Sequence, residues 1–124
     1  MDTKEMLRRT KQFGYNCIDL SEYLEGSYLK NHVRSQLIRC ATSVGANYRA
    51  ARLAQTKASF VAKISISIEE ADESAMWLEL IFDKKLLDPG RIKELKPLLK
   101  EANELTAIFV SSLKTVNNKI NNSK

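Results

Sequence analysis

His32 is the only histidine in the sequence, so a Ser-His-Asp relay or a histidine-rich metal site would have to be built around it. Nothing near it marks a nucleophile. Its place near the start of a helical pattern reads as a solvated surface residue. The acidic group Glu69-Glu70 and Asp72-Glu73 has the carboxylates of a di-iron bundle. That chemistry takes a Glu-x-x-His from each of two helices, which one histidine cannot supply. No metal and no cofactor is therefore expected. Cys17 and Cys40 lack CxxC spacing and sit inside helical patterns, as reduced core thiols do. A glycine-rich phosphate loop and a dinucleotide fingerprint are both missing. With no catalytic constellation, the chain is expected to bind rather than to act as an enzyme.

The charges point to what is bound. Residues 26–68 hold seven Lys and Arg and no acid, followed by six acids and no base over 69–83. The first 25 residues carry four bases and five acids, and the whole chain is +5. Around a helix, Arg34, Arg49 and Arg52 fall within about 60° of each other, beside the apolar stripe. A phosphate backbone suits such a row, and Arg34, Arg39, Arg49, Arg52, Lys57 and Lys63 are the candidate nucleic-acid contacts. Structured RNA is the first choice of partner, with DNA or a protein as the others. The competing reading pairs these bases with Glu69, Glu70, Asp72, Glu73, Glu79 and Asp83 of a neighbouring helix or second subunit. Tyr15, Tyr23, Tyr28 and Tyr48 are spread out, without the interleaved basic and aromatic pattern of a single-strand platform. Tyr48, next to Arg49, reads as a packed ring with its hydroxyl at the edge.

Four elements must position these groups. Apolar residues recur at three- and four-residue spacing, and the four Gly and two Pro are too few to punctuate an all-β chain. The spacing predicts one all-α domain over 1–124 with helices over about 3–25, 30–54, 57–84 and 91–120. The buried series are Met6, Phe13, Cys17, Leu20 and Leu24; Val33, Leu37, Cys40, Val44 and Ala51; Phe60, Ile64, Ile68, Ala71, Ala75, Leu78 and Phe82; and Leu95, Leu98, Ala102, Leu105, Phe109, Leu113, Val116 and Ile120. Gly26 fits a C-terminal cap for the first helix, Thr56 an N-cap for the third, and Asp88-Pro89-Gly90 a turn. Thr56 could equally sit mid-helix, which leaves the second boundary open. Short connections between long helices give an antiparallel up-down-up-down four-helix bundle. The asparagine-rich tail from Asn117 to Lys124 is expected to fray. No apolar run reaches the roughly 18 residues of a membrane span and the start is polar, so a cytoplasmic protein is expected.

A second apolar seam follows from the third helix. Ile66, Trp77, Leu80 and Ile81 point away from the core series, and a monomer would expose them. Exposed apolar surface with a Trp anchor marks an interface, so these four are the expected oligomer contacts. A wide helix face touching two neighbours would account for Ile81 more easily than for Trp77. On the second helix, mid-helix Gly45 suggests close backbone approach. Asn47, near the stripe, is expected to be nearly buried, fixing register or contacting a ligand.

The stretch from Gln36 to Ala51, QLIRCATSVGANYRAA, resembles the four-helix-bundle family of 23S rRNA intervening-sequence proteins, which reads approximately Q-L-x-R-A-x-x-S-I-x-x-N-I-x-E-A there. Lys57 to Lys63, with Phe60, and then Glu69 to Leu80, with Trp77, resemble that family's second block. The likeness covers most of residues 34–82. It implies a left-handed bundle and a ring-shaped homopentamer. A distant branch with this fold is the accessory factor of diversity-generating retroelements, where a basic pentameric barrel binds nucleic acid and a reverse transcriptase. The chain departs from the pattern at Ala50, where the family usually carries an acid, and the block becomes acid-free. No catalytic residue is carried over.

Overall fold

The computed structural model describes residues 2–122, with side chains through residue 118. The side chain of Ile120, from the expected apolar series, and the Ser123-Lys124 end of the tail lie outside what is described. Among the described residues there are only helices: α1 (Thr3–Ser21), α2 (Tyr28–Arg52), α3 (Lys57–Asp83), the single turn α4 (Pro89–Ile92) and α5 (Leu95–Asn122). The all-α expectation holds. None of these helices is long and apolar enough to cross a membrane.

Side-chain caps set most of the starts. Asp2, Ser27, Thr56 and Asp88 each accept a hydrogen bond from a first-turn amide, at 2.8 Å from Glu5, 3.1 Å from Lys30, 3.0 Å from Ser59 and 3.1 Å from Arg91. Each satisfies one of the free amides at a helix start, worth about 1 kcal/mol. Thr56 is thus a cap, and the chain breaks between α2 and α3.

Two boundaries differ from the sequence reading by more than two residues. α1 stops at Ser21, four residues early. The Ser21 hydroxyl donates to the Ile18 carbonyl at 2.7 Å, and the amides of Tyr23 and Leu24 bond three residues back, tightening the chain out of the helix. Gly26 supplies the loop's left-handed turn at φ 98° rather than capping α1. The last helix is interrupted as well. Pro97 cannot donate an amide and its ring opposes the carbonyl four residues earlier, so it is tolerated only in a first turn. α5 accordingly starts at Leu95, and α4 stands before it as a separate turn capped by Asp88.

One core joins the long helices. Phe13 of α1, Leu37 and Val44 of α2, Ile64 and Leu78 of α3, and Leu105 and Phe109 of α5 are almost wholly buried, each worth roughly 1.5–3 kcal/mol relative to exposure. α2 packs against both α1 and α3, and α3 against α5, while α1 and α5 touch more lightly. Arg9 bridges that seam, pairing with Glu101 and, at 3.0 Å, with Glu104. Every buried side-chain polar atom among the described residues has a partner.

The buried face of α3 is rotated from the expected one. Ser67 and Ser74 are fully buried, Ser67 donating to the Val44 carbonyl at 3.2 Å and Ser74 to the Glu70 carbonyl at 2.8 Å. These small, bonded hydroxyls let α2 lie close, and they turn the face toward Ile81, which is 0% exposed, leaving Phe82 61% exposed. Phe82 is therefore not a core residue, and Ile81 is not a surface one.

Candidate nucleic-acid interface

The six candidate bases divide into two groups. Arg39 on α2 reaches across to α3, bonding Glu70 at 3.2 Å and Glu73 more closely. Arg34 pairs with Glu22, just past α1, at 3.4 Å. For these two, pairing within the chain is what the structure shows. Arg49, Arg52 and Lys57 are exposed and Lys63 is half-buried, and none of the four makes an ion pair among the described residues. Arg49 and Arg52 also sit in the last turn of α2, where a base complements the helix dipole.

Arg49 and Arg52 line a groove of about 630 Å³ between α1 and α2. Small residues form its floor. A Cβ on Gly45 would lie 3.4 Å from the Thr10 backbone, and one on Gly14 3.4 Å from the Ala41 carbonyl oxygen. Gly45 does mark close helix approach. The opposite bank carries Arg8, Lys11 and Tyr15, three residues outside the expected set. Their own segment is acid-rich overall, which masked them. The available signal was their spacing, since 8, 11 and 15 recur on one helix face. Arg8 pairs with Glu5, and this bond holds the exposed Glu5 carboxyl below its usual range while raising Arg8. Glu5 itself is not part of the groove wall, and no carboxylate is.

None of the four residues of the expected apolar seam is exposed. Ile66, Trp77 and Leu80 are half-buried, and Trp77 and Leu80 pack against the core. The Trp77 indole donates to Glu73 and meets the His32 ring edge-on at 5.7 Å, while His32 stacks on Tyr28 at 6.4 Å. His32 is exposed, as expected, but it joins an aromatic run that ends in the 88%-exposed Tyr28. Tyr48 is the packed ring expected of it, tilted 5.8 Å from Phe109. Asn47, half-buried, donates to the Ser43 carbonyl and hydroxyl at 2.9 and 2.8 Å, a bond within its own helix.

Among the described residues, no group of three or more His, Cys, Asp or Glu is placed to hold a metal ion. Cys17 and Cys40 are buried with free thiols, both raised in pKa chiefly by that burial.

Comparison with known proteins agrees with this architecture. No curated protein matches the chain. Among solved structures, it is similar to a protein of unknown function from the S23 ribosomal protein family of Bacteroides thetaiotaomicron. That likeness has 25% identity, covers 92% of this chain and 99% of that one, and has a TM-score of 0.81. The family model described as 23S rRNA-intervening sequence protein matches residues 3–108, and the chain belongs to that family.

Proposed function

We propose that this protein is a non-enzymatic, cytoplasmic bundle that assembles into a homo-oligomer, a pentamer by family resemblance, and binds structured RNA through phosphate contacts. The carrying observation is that Arg49 and Arg52 stand exposed, without an ion pair among the described residues, on a groove with no carboxylate in its wall. A phosphate backbone supplies the missing negative charge. Lys57 and Lys63 stand on α3, outside the groove lining, and the family's name is in keeping with an RNA partner. The protomer of this assembly is an up-down-up-down bundle, left-handed by the same resemblance. The register supports the alternation: Thr10 meets Gly45 while Gly14 meets Ala41, and Ser67 meets Val44 while Ser74 meets Cys40. Assembly is supported by the exposed rings of Phe82 and Tyr28, of which Tyr28 reaches the half-buried Trp77 through His32.

A second reading makes the protein a scaffold whose charges serve contacts with other subunits or a protein partner. It is favoured by Glu69, Asp72, Glu79 and Asp83, exposed on α3 without ion pairs among the described residues. Light scattering after gel filtration, at low and high salt and with an excess of structured RNA, separates the two. The RNA reading expects an oligomer that gains RNA mass only at low salt, and loses that gain in the Arg49→Ala/Arg52→Ala double variant. An oligomer that ignores RNA supports the scaffold reading, and a monomer removes the assembly.

A further inference from the structure

The α1–α2 groove brings together two features that are far apart in the sequence, a row of cations and an exposed aromatic ring. We infer that it seats an unpaired strand of RNA, with phosphates on Lys11, Arg49 and Arg52 and a base stacked on Tyr15. This rests on the nucleic-acid reading above and narrows it to single-stranded segments.

The sign of the groove is the first argument. Lys11 stands on one bank beside Arg8, whose charge Glu5 meets from outside the wall, Arg49 and Arg52 stand on the other, and none of the lining residues is acidic. The neighbouring α1–α5 groove contains Glu5, Glu101 and Glu104 beside its arginines, so the positive wall is particular to the α1–α2 side.

The aromatic is the second argument. Tyr15 is 51% exposed on the groove wall, with the Lys11 ammonium 5.8 Å from its ring centroid. Stacking on a nucleobase is worth about a tenfold change in affinity or more, whatever the base. Cations that follow a backbone beside a ring that takes a base are the two parts of a single-strand site.

Shape selects against a duplex. Packed helices lie about 8–10 Å apart, and Gly14 and Gly45 bring α1 and α2 close beneath the groove. A single backbone fits along such a floor of small residues. A duplex is wider than the gap and keeps its bases stacked on one another, out of reach of Tyr15.

Fluorescence anisotropy tests the site with a labelled oligouridylate of about twelve nucleotides, a labelled duplex of equal length and a structured RNA. Wild-type protein should prefer the oligouridylate to the duplex. Arg49→Ala/Arg52→Ala should weaken its binding at least tenfold and reduce the salt slope by about 1.4. Tyr15→Leu should weaken it about tenfold with the slope unchanged, and Tyr15→Phe should restore it. Tyr15 is exposed, so circular dichroism of these variants should match wild type. Unchanged affinity in Tyr15→Leu, equal binding of the duplex, or displacement by polyglutamate at equal charge would overturn the single-strand site while leaving RNA binding intact. Failure of all three RNAs to bind overturns both.

Discussion

One oxygen of Glu73 accepts two hydrogen bonds from different elements, from the Trp77 indole one turn along α3, at 3.0 Å, and from Arg39 across on α2. The carboxylate therefore fixes the ring's rotamer and ties the two helices at once. It also accounts for the depth of Trp77, since an indole N–H taken partly out of water needs an acceptor.

Glu73→Ala removes both bonds and leaves the indole donor without its partner. The expected cost is about 1–2 kcal/mol, with a change in the emission of Trp77, the only tryptophan. Urea unfolding followed by fluorescence and by circular dichroism measures both effects. A variant with wild-type stability and an unshifted emission would show that the contact does not order Trp77.

Gly45 is a second test, because its position allows one carbon and not more. A Cβ would stand at ordinary contact distance, 3.4 Å, from the Thr10 backbone. Gly45→Ala should therefore be neutral or stabilising by up to about 1 kcal/mol, the gain in helix propensity. Gly45→Leu should lose about 1–3 kcal/mol or more by forcing α1 from α2. Thermal melts of the two variants check the order; destabilisation by alanine as large as that by leucine would contradict the packing.

Alkaline pH provides a third. Burial first, and neighbouring Cys40 second, raise the Cys17 thiol above its ordinary 9.0. Below that value the thiol is protonated in both folded and unfolded chains, and its contribution is fully present. As pH rises past 9.0 the unfolded chain ionises while the folded one does not, so stability falls by up to about 1.4 kcal/mol per pH unit. Cys17→Ala should be less stable at neutral pH and show a shallower loss between pH 9 and 10.5. Parallel pH profiles would remove the thiol as the cause.

The helices and most of the core could be read from the sequence because apolar spacing records directly which face is buried. The expected residues of α1 and α2 are all inside. Where the reading failed, the deciding residues were polar. Ser67 and Ser74 look like surface residues in a pattern of apolar letters, yet their hydroxyls are satisfied internally and turn α3 so that Ile81 enters and Phe82 leaves. Pro97 set the start of α5 from inside the first turn, hidden behind the stronger turn signal at Asp88-Pro89-Gly90.

The candidate site was half visible for a similar reason. Arg49 and Arg52 announced themselves in an acid-free run, but Arg39 was taken by Glu70 and Glu73 across a helix pair that no linear charge count resolves. Lys11 and Tyr15 were hidden among acids that stay outside the groove wall, Glu5 among them, which pairs with Arg8. Their meeting with α2 is a property of the fold.

The concentration of bases around the start of α1 and the end of α2 gives the protomer a lasting electrostatic polarity. A polyanion at a distance would exert a torque on such a body, turning the basic end forward before any contact forms. Encounter rate as well as residence time then depends on lysines that never touch the ligand, and salt slows arrival by screening that orientation.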